Sequence, residues 1–309
     1  MKIFLTGASG LVGAAFARAA ERRGHRVVGI VGRFTGDLPG VAERRTFDLA
    51  DETALTSAVL DAFPEAIVNC AAISEPAAVD ADPARAQALN VALPATLARL
   101  AHHMSARCVH ISSEQVFDGA LIAPYRTDSA TGPINLYGRQ KLESEQAVHA
   151  AAPEFAATVR APLLMGNSPG GRRSMHERLF NDWGAGKAVQ LYADEFRQPC
   201  TGENLAEVLL ELCERRDLCG VFHWAGSELV SRFALGLAVR EHFKLPPERA
   251  PIISVSRAER PEIARGRQAC LALDLAPLMG KLKTRPQTVA AQLAELQVPP
   301  AARSWYFSA

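Results

Sequence analysis

Ile3-Phe4-Leu5-Thr6-Gly7-Ala8-Ser9-Gly10-Leu11-Val12-Gly13 is a short apolar run that breaks into a glycine turn. An Ala-rich stretch over residues 11–23 follows and Gly24 ends it. His25-Arg26-Val27-Val28-Gly29-Ile30-Val31 then reads as a second strand. Strand, glycine turn, helix and strand in this order are the setting in which such spacing marks a dinucleotide site. Gly7 allows the tight turn. Gly10 lets the backbone approach a pyrophosphate, where free N–H groups and the helix dipole favour an anion. Gly13 lets the helix pack close to the sheet. The same spacing without a ligand is only a glycine-rich turn, so the rest of the chain has to decide.

The second strand runs into Gly32-Arg33. Here an acidic residue suits a ribose 2′-hydroxyl and an arginine suits a 2′-phosphate. Arg33 therefore favours NADPH, with NADH the alternative. Thr46-Phe47-Asp48-Leu49 reads as a third strand and its exit. Asp48 is suited either to an adenine amino group or to capping a helix over 51–63. Ala66-Ile67-Val68-Asn69-Cys70-Ala71-Ala72 is an apolar strand ending in small residues, which leave room for a cofactor. Ser74 and Glu75 then open a loop on the ligand side. Residues 83–104 read as a long helical segment kinked by Pro94. Asn90 within it is suited to ordering interior backbone or water. His102 and His103 read as C-terminal helix charges. Arg107-Cys108-Val109-His110-Ile111 is a fifth strand and leads into Ser112-Ser113.

Tyr137-Gly138-Arg139-Gln140-Lys141 lies between Pro133 and Pro153 with no breaker after it, which predicts a helix. Tyr137 and Lys141 are four apart and share a face. A cation beside a phenol lowers its pKa from the usual ~10. Such a phenol exchanges protons near neutral pH. Lys141 also suits ribose hydroxyls. A hydroxyl at the end of the fifth strand can bond the same substrate oxygen as Tyr137. Ser113 is the better candidate, and alternation leaves Ser112 open.

A chain of 309 residues accommodates one large α/β domain or two that share an interface. It is 48% hydrophobic and 22% charged, with a formal net charge of +1 and no long block of like charge. That argues against a nucleic-acid partner and against a polybasic membrane anchor. The first residues hold too short an apolar run for a signal peptide. No uninterrupted apolar stretch is long enough to span a bilayer. Cys70, Cys108, Cys200, Cys213, Cys219 and Cys270 are scattered, with no spacing that suits zinc. The expectation is no metal site and a reducing, cytoplasmic setting.

The predicted fold is α/β: a doubly wound parallel sheet of Rossmann type with a small discontinuous C-terminal substrate lobe. Residues 1–165 form the dinucleotide-binding domain and residues 195–226 return to it. Residues 166–194 and 227–309 form the lobe. Residues 157–160 read as a sixth strand, 202–216 and 233–243 as helices, and 221–224 as a further strand. Arg172 and Arg173 follow a Gly/Pro/Ser loop and suit a diphosphate or an exposed charged turn. Ser304-Trp305-Tyr306-Phe307 either packs on the body or meets a partner.

The glycine turn after Thr6, the strand-end serine and Tyr137-x-x-x-Lys141 together resemble the extended short-chain dehydrogenases/reductases. More narrowly, the resemblance is to the dTDP-4-dehydrorhamnose reductase family. It rests on Ile111-Ser112-Ser113-Glu114-Gln115-Val116-Phe117-Asp118-Gly119, Pro124-Tyr125, Asn135-Leu136-Tyr137-Gly138, Asp194-Glu195-Phe196-Arg197-Gln198-Pro199 and Leu273-Asp274. It implies NAD(P)H-dependent reduction of a 4-keto-6-deoxy nucleotide sugar. Tyr137 would give the proton, Lys141 would hold the nicotinamide ribose, and Ser113 would orient the carbonyl. Gly7, Gly10, Leu11, Val12, Asp48, Leu49, Ala71, Ala72 and Ile73 would line the cofactor, with Gly13, Arg33 and Asn90 completing that set. Ser74, Ser113, Glu114, Phe117, Leu163 and Arg197 are the residues expected on the substrate. A homodimer belongs to the same expectation.

The chain departs from that family on the sugar side. Ser113-Glu114-Gln115 stands where the family has Thr-Asp-Tyr, and Leu163 aligns with a tryptophan. A related dehydratase would need Glu where Gln115 stands, and an amide is no base. Epimerisation of a nucleotide sugar stays open. Asn135-Leu136-Tyr137-Gly138 and Phe222-His223-Trp224-Ala225-Gly226 also resemble the regulatory β subunit of methionine adenosyltransferase, which implies cofactor binding without turnover.

Overall fold

In the computed structural model, which describes residues 1–121 and 123–308, the apolar runs pair into one parallel sheet. Ala309, the last residue of the expected lobe, lies outside the described residues. The strands are β1 (Lys2–Thr6), β2 (Arg26–Val31), β3 (Val41–Thr46), β4 (Ala66–Asn69), β5 (Arg107–Ser113), β6 (Ala156–Ala161) and a final one, Gly220–His223. The sheet is seven-stranded, and its order is Gly220–His223, β6, β5, β4, β1, β2, β3. The chain changes direction across the sheet between β1 and β4, and the crevice at such a switch point is where ligands bind. Parallel register aligns Thr6 with Asn69 and Asn69 with His110. Polar side chains of three neighbouring strands therefore meet at one level.

Helices cover both faces. On one face α1 (Leu11–Arg22) packs with Gly202–Glu214, burying Phe16, Leu205, Leu209 and Trp224 against the sheet. Arg18–Glu203 (3.2 Å) and Arg22–Glu207 (2.8 Å) fringe this contact. Pairs at a rim open to solvent contribute little, so the Ala/Leu packing carries the interface. On the other face Glu52–Ala62, Leu93–His103 and Leu136–Ala151 bury Leu55, Val59, Leu97 and Val148. A separate core of Phe180, Trp183, Leu235, Val239 and Phe243 lies among the C-terminal elements. Trp305 and Tyr306 pack against it, and the Tyr306 hydroxyl donates to the Phe243 carbonyl (3.1 Å), so the tail packs on the body. No helix among the described residues is long and apolar enough to cross a membrane.

Two local expectations are corrected. The third strand is Val41–Thr46, earlier than residues 46–49. It is an edge strand whose side chains alternate between half-buried and exposed, so no apolar run marks it. The long helical segment is broken before Pro94, by a π-turn at Ala88–Ala92. Pro94 has no N–H to offer the carbonyl four residues earlier, and the wider turn absorbs that loss.

Candidate active site

A cleft of about 590 Å³ opens at the C-terminal ends of β1, β4 and β5. One end is the glycine turn. Gly7 has φ of +67°, and a Cβ there would lie 2.8 Å from the Ala71 nitrogen. A Cβ on Gly13 would lie 2.2 Å from the Gly7 oxygen. The turn is thus clamped between α1 and the end of β4. Gly10 is the N-cap of α1 and no side chain caps the helix, which leaves its first N–H groups for an anion. Gly13→Ala is expected to destabilise the protein by about 1–3 kcal/mol through overpacking. A lowered urea midpoint together with weakened dinucleotide binding checks this, because the Gly7 carbonyl has to move.

Gly7, Gly10, Leu11, Val12, Leu49, Ala71 and Ala72 line this end of the cleft. Asn90 lies behind its wall and holds Ile73 by the backbone. Ile73 N donates to Asn90 Oδ1 (2.9 Å), and Asn90 Nδ2 donates to Ile73 O (3.0 Å) and Gln140 Oε1 (2.9 Å). Arg33 is exposed. Asp48 accepts from both terminal nitrogens of Arg85 and from Ala50 N. The Arg85 hydrogen bond, helped by Ala50 N–H and the charge of Arg33, holds its carboxyl below the usual range. Asp48 does not cap the next helix: Asp51 does, accepting from Ala54 N (3.0 Å).

The other end is built on the helix Leu136–Ala151. Asn135 caps it, accepting from Gly138 N (2.8 Å) and donating to Gln115 Oε1 (2.9 Å). A Cβ on Gly138 would lie 2.2 Å from the Gln115 oxygen, so only glycine lets the first turn press on the loop after β5. Tyr137, Lys141 and Ser113 are thereby brought onto one buried wall of the cleft. Burial pushes the Tyr137 phenol up to about 12; the Ser113 hydroxyl opposes this and Glu114 adds to it. Burial pulls Lys141 down to about 8, with Glu145 and Cys70 opposing. Lys141 Nζ donates to the Ile111 carbonyl (2.7 Å). The expectation that Lys141 lowers the Tyr137 pKa is therefore corrected, because burial of the phenol prevails. The two serines have separate partners. Ser112 donates to Glu145, whose carboxylate also takes Arg160 Nε (2.9 Å) and Nη2 (2.8 Å), whereas Ser113 faces Tyr137.

A buried hydrogen-bonded line behind this wall was not read from the sequence. Thr6 Oγ1 donates to Asn69 Oδ1 (2.6 Å), which also accepts from Ala71 N (3.2 Å). Asn69 Nδ2 then bonds His110 Nδ1 (3.1 Å), His110 Nε2 bonds Ser144 Oγ (3.0 Å), and Ser144 Oγ donates to the Lys141 carbonyl (2.7 Å). With Asn69 Nδ2 as donor, the line requires neutral His110 with its proton on Nε2. Burial, aided by the charges of Lys141 and His149, holds His110 well below the ordinary histidine range. The line ties the C-terminal end of β4, beside the glycine turn, to the helix that carries Tyr137 and Lys141. Its signal was Thr6, Asn69 and His110 in otherwise apolar runs, legible as a line only once the strand order is known.

On the remaining side Ser74, Glu114, Leu163 and Arg197 line the cleft. Phe117 does not, which corrects its expected contact with substrate. It is fully buried, stacked on Tyr125 (ring centroids 4.2 Å apart) with Arg160 5.0 Å from its ring centre. Sequence reading missed Glu195, Arg178, Arg232 and Arg267, which also line the cleft, as does Arg173. Glu195 pairs with Arg197 (3.1 Å), Arg267 (2.8 Å) and Arg232 (3.7 Å). Burial works against its charge, but Arg197, Arg232 and Arg267 outweigh it and hold the carboxyl below the usual range. Among the described residues no group of His, Cys, Asp or Glu side chains is arranged to hold a metal ion.

The parallel strand order, the glycine turn and the wall of Tyr137, Lys141 and Ser113 define an extended short-chain dehydrogenase/reductase-like protein of Rossmann type. The chain belongs to the RmlD substrate binding domain family, whose model matches residues 1–297. It is 31% identical to the dTDP-4-dehydrorhamnose reductase of Mycolicibacterium smegmatis over 262 residues, covering 84% of this chain and 75% of that one. It is 32% identical to methionine adenosyltransferase 2 subunit beta of Xenopus laevis over 250 residues, covering 79% and 73%. The structure of the Bacillus anthracis dTDP-4-dehydrorhamnose reductase in complex with NADP superposes with a TM-score of 0.80 at 19% identity, covering 94% of this chain and 96% of that one.

Proposed function

We propose that the chain is an NADPH-preferring reductase of a 4-keto-6-deoxy sugar carried on a nucleotide. The observation that carries this reading is the buried wall of Tyr137, Ser113 and Lys141 facing a cleft that ends in the glycine turn. The cradle fits a dinucleotide, since the start of α1 lines the cleft with no side-chain cap, which leaves its first N–H groups for a pyrophosphate. Gly7, Gly10, Leu11, Val12, Leu49, Ala71 and Ala72 would hold it, with Arg33 and Asp48 toward its ribose and adenine. The bound nicotinamide supplies the hydride. Tyr137 gives its proton to the oxygen that gains charge, and Ser113 orients that oxygen. Lys141 holds the ribose hydroxyls. Ser74, Glu114, Leu163 and Arg197 face the sugar, and residues 166–194 and 227–309 form the lobe that covers it.

The reductase relative from Mycolicibacterium smegmatis supports the reading. The test is the decay of NADPH absorbance with dTDP-4-dehydrorhamnose, alongside NADH. Substrate-dependent oxidation is the expected result. Arg33→Ala is expected to lower the NADPH-to-NADH ratio of kcat/KM by about tenfold, the worth of one charge-assisted contact to a phosphate. An unchanged ratio would remove Arg33 from cofactor choice.

A second reading, a cofactor-binding subunit without turnover, is favoured by one observation. The methionine adenosyltransferase β subunit is as similar to this chain as the reductase is, 32% against 31%. Tight NADPH binding without oxidation, and a protein that copurifies at fixed ratio, would support this second reading.

A further inference from the structure

Asp48 and Arg85 meet beside the rim of the cleft. Leu49, next to Asp48 in the chain, lines the cleft, and so does Leu89, four residues after Arg85 along the helical segment. Asp48 is exposed, so a ligand at this end can reach it. Both backbones are fixed. Asp48 O accepts from Asp51 N (2.9 Å), and Arg85 N donates to Asp82, which caps the short helix Pro83–Gln87 (3.0 Å). The side chains meet as a two-point fork. Arg85 Nη1 donates to Asp48 Oδ2 (2.9 Å) and Nη2 donates to Oδ1 (2.5 Å). Oδ1 also accepts from Ala50 N (3.0 Å).

Each carboxylate oxygen has room for two donors. Among the described residues Oδ1 has two and Oδ2 has one. One acceptor position therefore remains, on Oδ2. The hydrogen bond from Arg85, helped by Ala50 N–H and the charge of Arg33, keeps the carboxyl ionised, and an ionised carboxylate only accepts. An exposed ion pair adds little to stability. What a planar fork does add is direction. We propose that Arg85 is a positioning residue for the base of the cofactor: its two-point hold on Asp48 turns the one free acceptor, on Oδ2, toward the exocyclic amino group of adenine, so that the site selects a 6-amino purine over a 6-oxo purine. A 6-oxo purine would set its carbonyl oxygen against the carboxylate. Arg85 acts through Asp48. The inference rests on the dinucleotide reading of the cleft and not on turnover.

The test is calorimetric titration of the full chain with NADPH and with deamino-NADPH, in which hypoxanthine replaces adenine. Wild type is expected to bind NADPH about tenfold or more tighter than the analogue, the worth of one charge-assisted hydrogen bond. In Arg85→Ala only Ala50 N still holds the carboxylate, and the ratio of the two Kd values is expected to fall by about threefold or more, the worth of losing the preorganisation of one side chain. Asp48→Asn is expected to lower the ratio further. An unchanged ratio in Arg85→Ala overturns the proposal, because support of the fold alone weakens both ligands together. A higher ratio also overturns it and means that Arg85 competes with the base for Asp48. Equal binding of the two ligands by wild type, or an unchanged ratio in Asp48→Asn, removes Asp48 as the reader of the base and the role of Arg85 with it. Wild type that binds neither ligand overturns the dinucleotide reading itself.

Discussion

Tyr137→Phe is expected to lower kcat by about 10²–10⁴-fold, the usual worth of a positioned proton donor, while NADPH still binds. The substitution removes one oxygen and keeps the ring. The ring is 7% exposed and packs with Val79 and Ala86, so phenylalanine fills the same space. The helix start rests on Asn135 and on the contact of Gly138 with Gln115, neither of which involves the phenol oxygen. Stability should therefore stay within about 1 kcal/mol of wild type, the worth of the polar contact with Ser113. With its pKa pushed up to about 12, Tyr137 holds its proton throughout the neutral range. That suits an acid that donates to an oxygen gaining charge during hydride transfer. Stopped-flow single turnover separates this step from product release. Turnover within about twofold of wild type, with NADPH bound, would mean that another group supplies the proton.

The glycine-turn end of the cleft was legible because its signals are local. Gly7, Gly10 and Gly13 act through backbone geometry within one turn, and their spacing survives any tertiary arrangement. Tyr137 and Lys141 were legible for the same reason, being one helical turn apart. The electrostatics were not. Spacing predicts a lysine that lowers a tyrosine pKa, but burial depth is a property of the whole fold and pushes Tyr137 the other way. Phe117 sits in a motif that points to the site, yet its ring stacks on Tyr125 in the core. The cluster of Glu195, Arg232 and Arg267 draws on distant segments joined by short strands: Phe196–Arg197 lies between Val230–Ser231 and Cys270–Leu271. No local pattern announces such a meeting. The line from Asn69 through His110 to Ser144 likewise depends on β4 and β5 being neighbours.

Lys141→Met is expected to make the protein more stable near neutral pH and a far poorer catalyst. Lys141 is 2% exposed, and its Nζ donates to the Ile111 carbonyl. Burial pulls its pKa from 10.5 to about 8. That drop corresponds to about 3 kcal/mol of cost for keeping the charge inside. Losing the bond to Ile111 takes back about 1 kcal/mol, so a net gain of about 1–2 kcal/mol is expected from methionine. The sign of the pH dependence follows. The folded pKa lies below the unfolded one, so between about 8 and 10.5 the unfolded chain binds more protons, and wild-type stability rises with pH across that window. The cost is fully present below about 8 and gone above 10.5, and the methionine variant lacks it. Its advantage should therefore shrink through the same window. Glu114 acts in the adjacent one: its pKa is raised from 4.5 to about 8, so its contribution to stability falls with pH there. Urea midpoints near neutral pH and above pH 10 measure the difference directly. A variant less stable than wild type near neutral pH would mean that the Ile111 bond outweighs the cost of burial. The expected loss in kcat/KM, on the order of 10²-fold or more, gives the stability result its meaning. A buried lysine that destabilises the ligand-free fold and yet is needed for turnover would be kept for its charge in the cleft and not for stability.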